Sequence, residues 1–160
     1  MNFNKAQREV FNKIIGSGKP AWFDVDENNI FVTPDGMVGF IFPAPTIAFN
    51  IDRIRKMDNP VKIKEVVKSE NELILTNDIK LFPGRQVIRL KKGKYSVFVD
   101  TRFLSYFQNP KFFQDAKDRR AAIIVTEYQH LKGNTPVGLI MPNVVREAEF
   151  GYYTESEDAK

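Results

Sequence analysis

A chain of 160 residues is the size of one domain, long enough to bury roughly 70% of the surface its unfolded form exposes. It has no Cys and one His, His130, which excludes disulfides and thiolate chemistry and leaves a zinc or haem site dependent on carboxylates, so no metal or cofactor is expected. The net charge is +4, and neither an apolar leader nor a run near the roughly 18 residues of a membrane span occurs, which points to the reducing cytoplasm and no membrane contact.

The first predicted element is a helix over Asn4 to Ile15. Phe3, Val10, Phe11, Ile14 and Ile15 form its apolar stripe, Asn4 with Gln7 can make a capping box, and Gly16-Ser17-Gly18 stops it. Lys5, Arg8, Asn12, Lys13 and Glu9 are left outside, as a solvated face or as one that meets phosphates. Three strands of a meander follow, Ala21 to Val25, Asn29 to Thr33 and Met37 to Phe42, with turns at Asp26-Glu27-Asn28 and Thr33-Pro34-Asp35-Gly36. Trp22 lies within an alternating strand, as a core anchor or a stacking platform.

Pro43 to Pro60 reads as a crossover in which Ile47, Phe49 and Ile51 fit a strand, while Ile51, Ile54 and Arg55 with Asp52 and Arg53 fit one or two turns of helix. Val61, Ile63 and Val67 alternate with Lys62, Lys64 and Lys68 and predict a strand with one basic side. Leu73 to Thr76, Ile79 to Phe82 and Gln86 to Leu90 continue as hairpin strands. Arg85, Arg89, Lys91, Lys92 and Lys94 are the densest basic cluster, near a hairpin tip at Gly93, and Tyr95 beside them could stack on a base.

Tyr95, Val97 and Val99 alternate with Ser96, Phe98 and Asp100 in a further strand. Asp100 or Thr101 then caps a second helix carrying Phe103, Leu104 and Phe107, which stops at Asn109-Pro110. A β-rich run and a closing strand ending at Pro142 complete the unit. The close, Val137-Gly138-Leu139-Ile140-Met141-Pro142, echoes Val38-Gly39-Phe40-Ile41-Phe42-Pro43 and predicts matching apolar faces, with the preceding helix and β-rich run repeated in the same order. Five acids, Glu147, Glu149, Glu155, Glu157 and Asp158, lie after Val145 with two bases, leaving 22 basic and 15 acidic residues in the body. A basic body with an acidic tail suits a nucleic-acid partner.

Asp115-Ala116-Lys117, with Pro34-Asp35 and Glu127, imitates the pieces of a metal-dependent nuclease, which needs its acids and lysine on adjacent strand ends around Mg²⁺. Here Asp115 and Lys117 fall in a loop, and no nucleophile triad, phosphate-binding Gly loop or dinucleotide fingerprint is present. No enzymatic activity is expected.

The order of elements, with Met1-Asn2-Phe3-Asn4 entering the first helix, Tyr95 to Leu104 entering the second, and the Leu139-Ile140-Met141-Pro142 close, resembles one domain of the bacterial DNA sliding clamp family. The resemblance covers about residues 1–43 and 94–145 and implies an α+β fold. Two helices would pack on antiparallel sheet in an internally duplicated β-α-β-β-β unit over 1–145, with 44–93 a hairpin-rich insert and 146–160 an acidic tail.

It further implies a DNA-replication accessory role, with Lys5, Arg8, Lys13 and Arg102 presented to the phosphates of double-stranded DNA. The cluster Arg89, Lys91, Lys92 and Lys94 joins them as DNA-binding candidates by its charge. Leu139 and Met141 would line an apolar pocket for polymerase or clamp-binding peptides. Such clamps contain several domains, so this chain would need to form a homo-oligomer to make a ring. The alternative is a protein-binding regulatory module without DNA contact, docking through Phe150-Gly151-Tyr152-Tyr153.

Overall fold

A computed structural model describes residues 1–16, 18–57, 63–115, 117–130 and 132–143. The expected tail over 146–160, its Phe150 to Tyr153 segment, and Val61 and Lys62 lie outside the described residues. The elements in order are α1 (Phe3–Ile15), β1 (Ala21–Asp24), β2 (Asn29–Thr33), β3 (Val38–Pro43), β4 (Arg55–Lys56), α2 (Ile63–Val66), β5 (Glu72–Phe82), β6 (Arg85–Lys92), β7 (Tyr95–Asp100), α3 (Thr101–Leu104), β8 (Lys111–Phe113), β9 (Ile123–Gln129) and β10 (Gly133–Ile140). Among the described residues no helix is long and apolar enough to cross a membrane.

The fold is α+β, and among the described residues ten strands run β4-β1-β2-β3-β10-β9-β8-β5-β6-β7. The sheet is mixed rather than purely antiparallel, because the crossover returns β4 beside β1 in parallel for two residues. Outward from the central β3·β10 pair, the order is β3-β2-β1 on one side and β10-β9-β8 on the other. A bridge between Phe98 and Asn143 brings the chain after β10 back to β7, so β10-β9-β8-β5-β6-β7 curl around one core. Residues 72–92 of the expected insert therefore supply two strands of that sheet.

Two apolar clusters occupy opposite faces. The first joins Ala6 and Val10 of α1 to Val38, Phe40 and Phe42 of β3, to Ile88 and Leu90 of β6, and to Phe107, with Phe103 and Leu104 of α3 packed against it. The second joins Phe23, Phe31, Ile41, Ile124 and Leu139 under Ile63 of α2. Both α1 and α3 thus cover the same side of the sheet.

The echoed hexapeptides pair with each other, in a register that differs from the sequence match. Gly39 lies opposite Leu139, Phe40 opposite Gly138 and Val38 opposite Ile140. Directly opposite residues share a face, so Leu139, opposite Gly39, faces away from the side of Phe40, with which the sequence match aligns it. An irregularity between Pro136 and Gly138 keeps Val137 in the first cluster while Leu139 enters the second. The expectation that Val137, Leu139 and Met141 share the face of Val38, Phe40 and Phe42 holds for Val137 and is corrected for Leu139.

Several local expectations change for physical reasons. Asn2, rather than Asn4, caps α1: its side chain accepts from Lys5 N, and Gln7 instead bonds Thr46 O and Ala48 N of the crossover. Ile63 to Val66 is helical, since a spacing of three to four residues presents Ile63, Val66 and Val67 to the second cluster better than alternation does. Ile47, Phe49 and Ile51 cover the first cluster not from a strand but from a segment between two 3₁₀ turns, Ala44–Thr46 and Ile51–Arg53, the second of which begins at Ile51 and agrees with the helical turn expected there. Leu73 to Phe82 is one strand whose polar middle, Asn77-Asp78, forms a break in register against β6 instead of a turn. Asp100 does cap α3, accepting from Arg102 N, but α3 is one turn long and ends before Asn109-Pro110.

Candidate nucleic-acid interface

The face carrying α1 and α3 is built around their meeting point. Asn2 N donates to Tyr106 O (2.7 Å), and Lys5 Nζ donates to Ser105 Oγ (2.6 Å) while lying 4.6 Å from the centre of the Tyr106 ring. On the same flank of α1, Glu9 and Lys13 border a cleft of about 270 Å³ shared with Asp35, Arg85, Asp100, Arg102, Phe103, Tyr106 and Asn143. Arg8 is exposed, away from the residues α1 packs on the sheet.

Arg102 is fixed as a fork on Asp100, with Nε donating to Oδ1 and Oδ2 (3.0 and 3.1 Å) and Nη2 to Oδ2 (2.7 Å). Burial pushes the Asp100 carboxyl upward, but the side-chain and backbone hydrogen bonds from Arg102 outweigh it and hold the group below its ordinary value. Burial, with the nearby Glu9 carboxylate and its hydrogen bond, pushes the Tyr106 hydroxyl up to about 12. Arg85 Nη1 donates to Asn143 Oδ1 (3.0 Å) and its guanidinium lies 5.1 Å from the Phe82 ring centre. Three cations and three carboxylates therefore share the cleft. Such a balance suits contact along its rim, where Lys5 and Arg8 add positive charge, more than capture of a phosphate within it.

Of the remaining basic candidates, Lys91, Lys92 and Lys94 are at the other end of β7, and Arg89 is opposite Phe98 in its middle. Asp100 and Tyr95 terminate that strand, about 17 Å apart for five residue steps. Arg89 pairs with Asp78 (Nη2 to Oδ2, 3.0 Å), Lys92 is half-buried, and Lys91 and Lys94 are exposed beside Gly93, whose φ of 56° forms the hairpin tip. Tyr95 is held by its hydroxyl donating to Gln114 Oε1 (2.7 Å), with Arg119 5.6 Å from its ring centre. Gln114, fully buried, donates in turn to Ala121 O (2.6 Å). That anchor brings Arg119, and with it the loop carrying exposed Arg120, to the lysine-rich tip, an addition that the spacing in sequence did not reveal. Arg85, adjacent in sequence to the tip cluster, is placed with Arg102 instead.

The expected partner-binding pair is also divided. Leu139 is 4% exposed within the second core cluster, whereas Met141 is half-buried and its amide donates to Met37 O (2.8 Å). A larger cavity, about 420 Å³, opens instead beside Ile41, Pro43, Pro136 and Val137, with Phe3 and Glu127 at its wall. Glu127 is already engaged by the Met1 amino group and by Gln108 N.

Trp22 is half-buried against the first cluster, its Nε1 donating to Ile54 O (3.2 Å), and Lys56 Nζ lies 4.8 Å from its ring centre. Asp115 accepts from Lys117 N within its own loop, and Asp35 accepts from Met37 N in the β2–β3 turn. Among the described residues no three His, Asp or Glu side chains gather as a metal site would require. In comparison with known proteins, no family model, no curated protein and no solved structure matches the chain.

Proposed function

We propose that the chain is a non-catalytic DNA-associated protein with one sliding-clamp-like domain, built from a duplicated unit and touching duplex phosphates from the α1–α3 side. The observation that carries the reading is the mirrored strand order about β3·β10, with a helix preceding each strand triplet and both helices on one face. The duplication is supported by that order and not by the hexapeptide echo, whose register places the matched Phe40 and Leu139 on opposite faces. Lys5, Arg8, Lys13 and Arg102 belong to that face, and they act as positioning charges without reading bases. The tip at Lys91, Lys92 and Lys94, extended by Arg119 and Arg120, is a second phosphate-contacting end.

The test is fluorescence anisotropy with a short labelled duplex across a salt series. Three to four phosphate contacts predict a slope of log affinity against log salt of roughly −3, and reversing Lys13 and Arg102 to Glu makes it shallower by about 2. No measurable binding of the full chain at low salt would overturn the reading. Cleavage of the duplex that depends on added Mg²⁺ and is abolished by Asp115→Ala would replace it with the nuclease alternative.

A further inference from the structure

After β10 the chain returns to the sheet at one fixed point. Asn143 N donates to Phe98 O (2.7 Å) in an antiparallel bridge, and the Asn143 side chain accepts from Arg85 Nη1 (3.0 Å). β7 is the last strand of the sheet and pairs with β6 on its inner side. It runs from Tyr95 to Asp100, so a segment antiparallel to it leaves Asn143 in the direction of Tyr95 and the lysine-rich tip. Among the described residues Lys91, Lys92 and Lys94 form no ion pair. Residues 144–160 carry Glu147, Glu149, Glu155, Glu157 and Asp158 against Arg146 and Lys160.

We infer that residues 144–147 extend this bridge along the outer edge of β7 and seat the acidic segment on the lysine tip of its own chain. Continuing the Phe98–Asn143 register places Val144 opposite Val97, Val145 opposite Ser96, Arg146 opposite Tyr95 and Glu147 opposite Lys94. Directly opposite residues share a face, so Val144 joins the side of Val97, a member of the first core cluster. Apolar residues thus fall against the buried part of the strand, and charges begin where it emerges, at half-buried Tyr95 and exposed Lys94. Arg146 joins Arg119 at Tyr95, where Asp115 and Asp118 lie within electrostatic reach. Glu147 and Glu149 arrive beside the unpaired lysines, whereas the α3 cleft already holds three carboxylates and would repel them. Edge pairing fixes the register, and the exposed ion pairs add little each, so a polyanion can displace the segment. The docking stands independently of any DNA; only its consequence, competition with phosphate at the tip, rests on the DNA-contact reading.

Because the chain contains no Cys, two introduced thiols test the register in the full chain. Residues directly opposite in an antiparallel pair bring their Cβ atoms within about 4.5–5.5 Å, close to disulfide range. Under mild oxidation, Ser96→Cys with Val145→Cys is expected to lose both thiols while keeping the mass of one chain. Ser96→Cys with Arg146→Cys, one residue out of register and so on opposite faces, is the control and is expected to keep most of its thiols. Ser and Cys are close in size, and an unchanged circular dichroism spectrum of the reduced forms establishes that both variants fold. A duplex must displace the segment to reach the lysines. The oxidised in-register variant is therefore expected to show a slope of log affinity against log salt shallower by about 1 to 2 than its own reduced form, as one or two phosphate contacts are lost. Equal cross-linking of the two variants, or cross-linking of neither, would overturn the docking, and equal slopes for the oxidised and reduced forms would overturn the competition. Closure of the in-register pair with no DNA binding by either form would uphold the docking and overturn the DNA reading instead.

Discussion

The two flanks of the central β3·β10 pair solve the same problem differently. On the first, α1 spans 13 residues and covers its sheet with Ala6, Val10, Phe3 and Ile14. On the second, α3 is a single turn, and β5, β6 and β7 fold over the core to supply the missing cover through Leu73, Ile88, Leu90, Val97 and Val99. Where one helix is shortened, an added sheet fills the space. The lesson is that a layer must be covered, while the kind of element that covers it is free to vary.

The comparison breaks first at Phe40, where the two flanks meet. Its side chain is fully buried and touches Phe42, Tyr106 and Phe107, so it belongs to both. Phe40→Ala is expected to cost about 3–5 kcal/mol in denaturant unfolding, with α1 and α3 losing protection together in hydrogen exchange. Loss confined to one helix would show that the flanks are energetically separate.

The central glycines sharpen the contrast. A Cβ on Gly138 would fall 2.5 Å from Gly39 O and 2.7 Å from the Phe107 ring, whereas one on Gly39 would meet only the end of the Phe31 ring, at 2.0 Å. A ring can shift and a paired backbone carbonyl cannot without disturbing the ladder. Gly138→Ala is expected to cost about 3 kcal/mol and Gly39→Ala about 1–2 kcal/mol, measured by urea unfolding, and the reverse order would contradict the packing described.

The smallest effect is expected at the α3 cap. Arg102→Ala removes the fork from Asp100 but leaves the backbone hydrogen bond, and the arginine is largely exposed, so a loss of about 1 kcal/mol at neutral pH is expected. Asp100 is held below its ordinary 3.8 in the folded protein, so its stabilising contribution is complete above that value and disappears as pH falls through the lowered one. The difference between variant and parent should therefore shrink on acidification below about pH 4, and a gap that widens there would refute the assignment.

Part of this was legible along the chain. Turns at Gly36 and Gly93 follow from residues that tolerate positive φ, here 80° and 56°, and the Asp100 cap follows from a short acceptor preceding an apolar helical stripe. The basic face of α1 was also readable, because Lys5, Arg8 and Lys13 lie outside its buried stripe. The division of the other cations was not. Arg85 and Lys94 are nine residues apart in sequence yet lie toward opposite ends of the β6–β7 hairpin, and Arg119 reaches Tyr95 through the buried Gln114.

Alternation and turn chemistry by themselves determined an amphipathic first helix, a meander after it and a strand leading into a second cap. Those features are local, set by backbone preferences and by the period at which apolar side chains recur. Only the tertiary structure decided that β3 and β10 lie side by side, that their antiparallel register puts Phe40 and Leu139 on opposite faces, and that β8 covers only Glu72 and Leu73 of β5. Such choices depend on which faces meet across the molecule, and a period-two pattern is equally satisfied by either register until a neighbouring strand selects one.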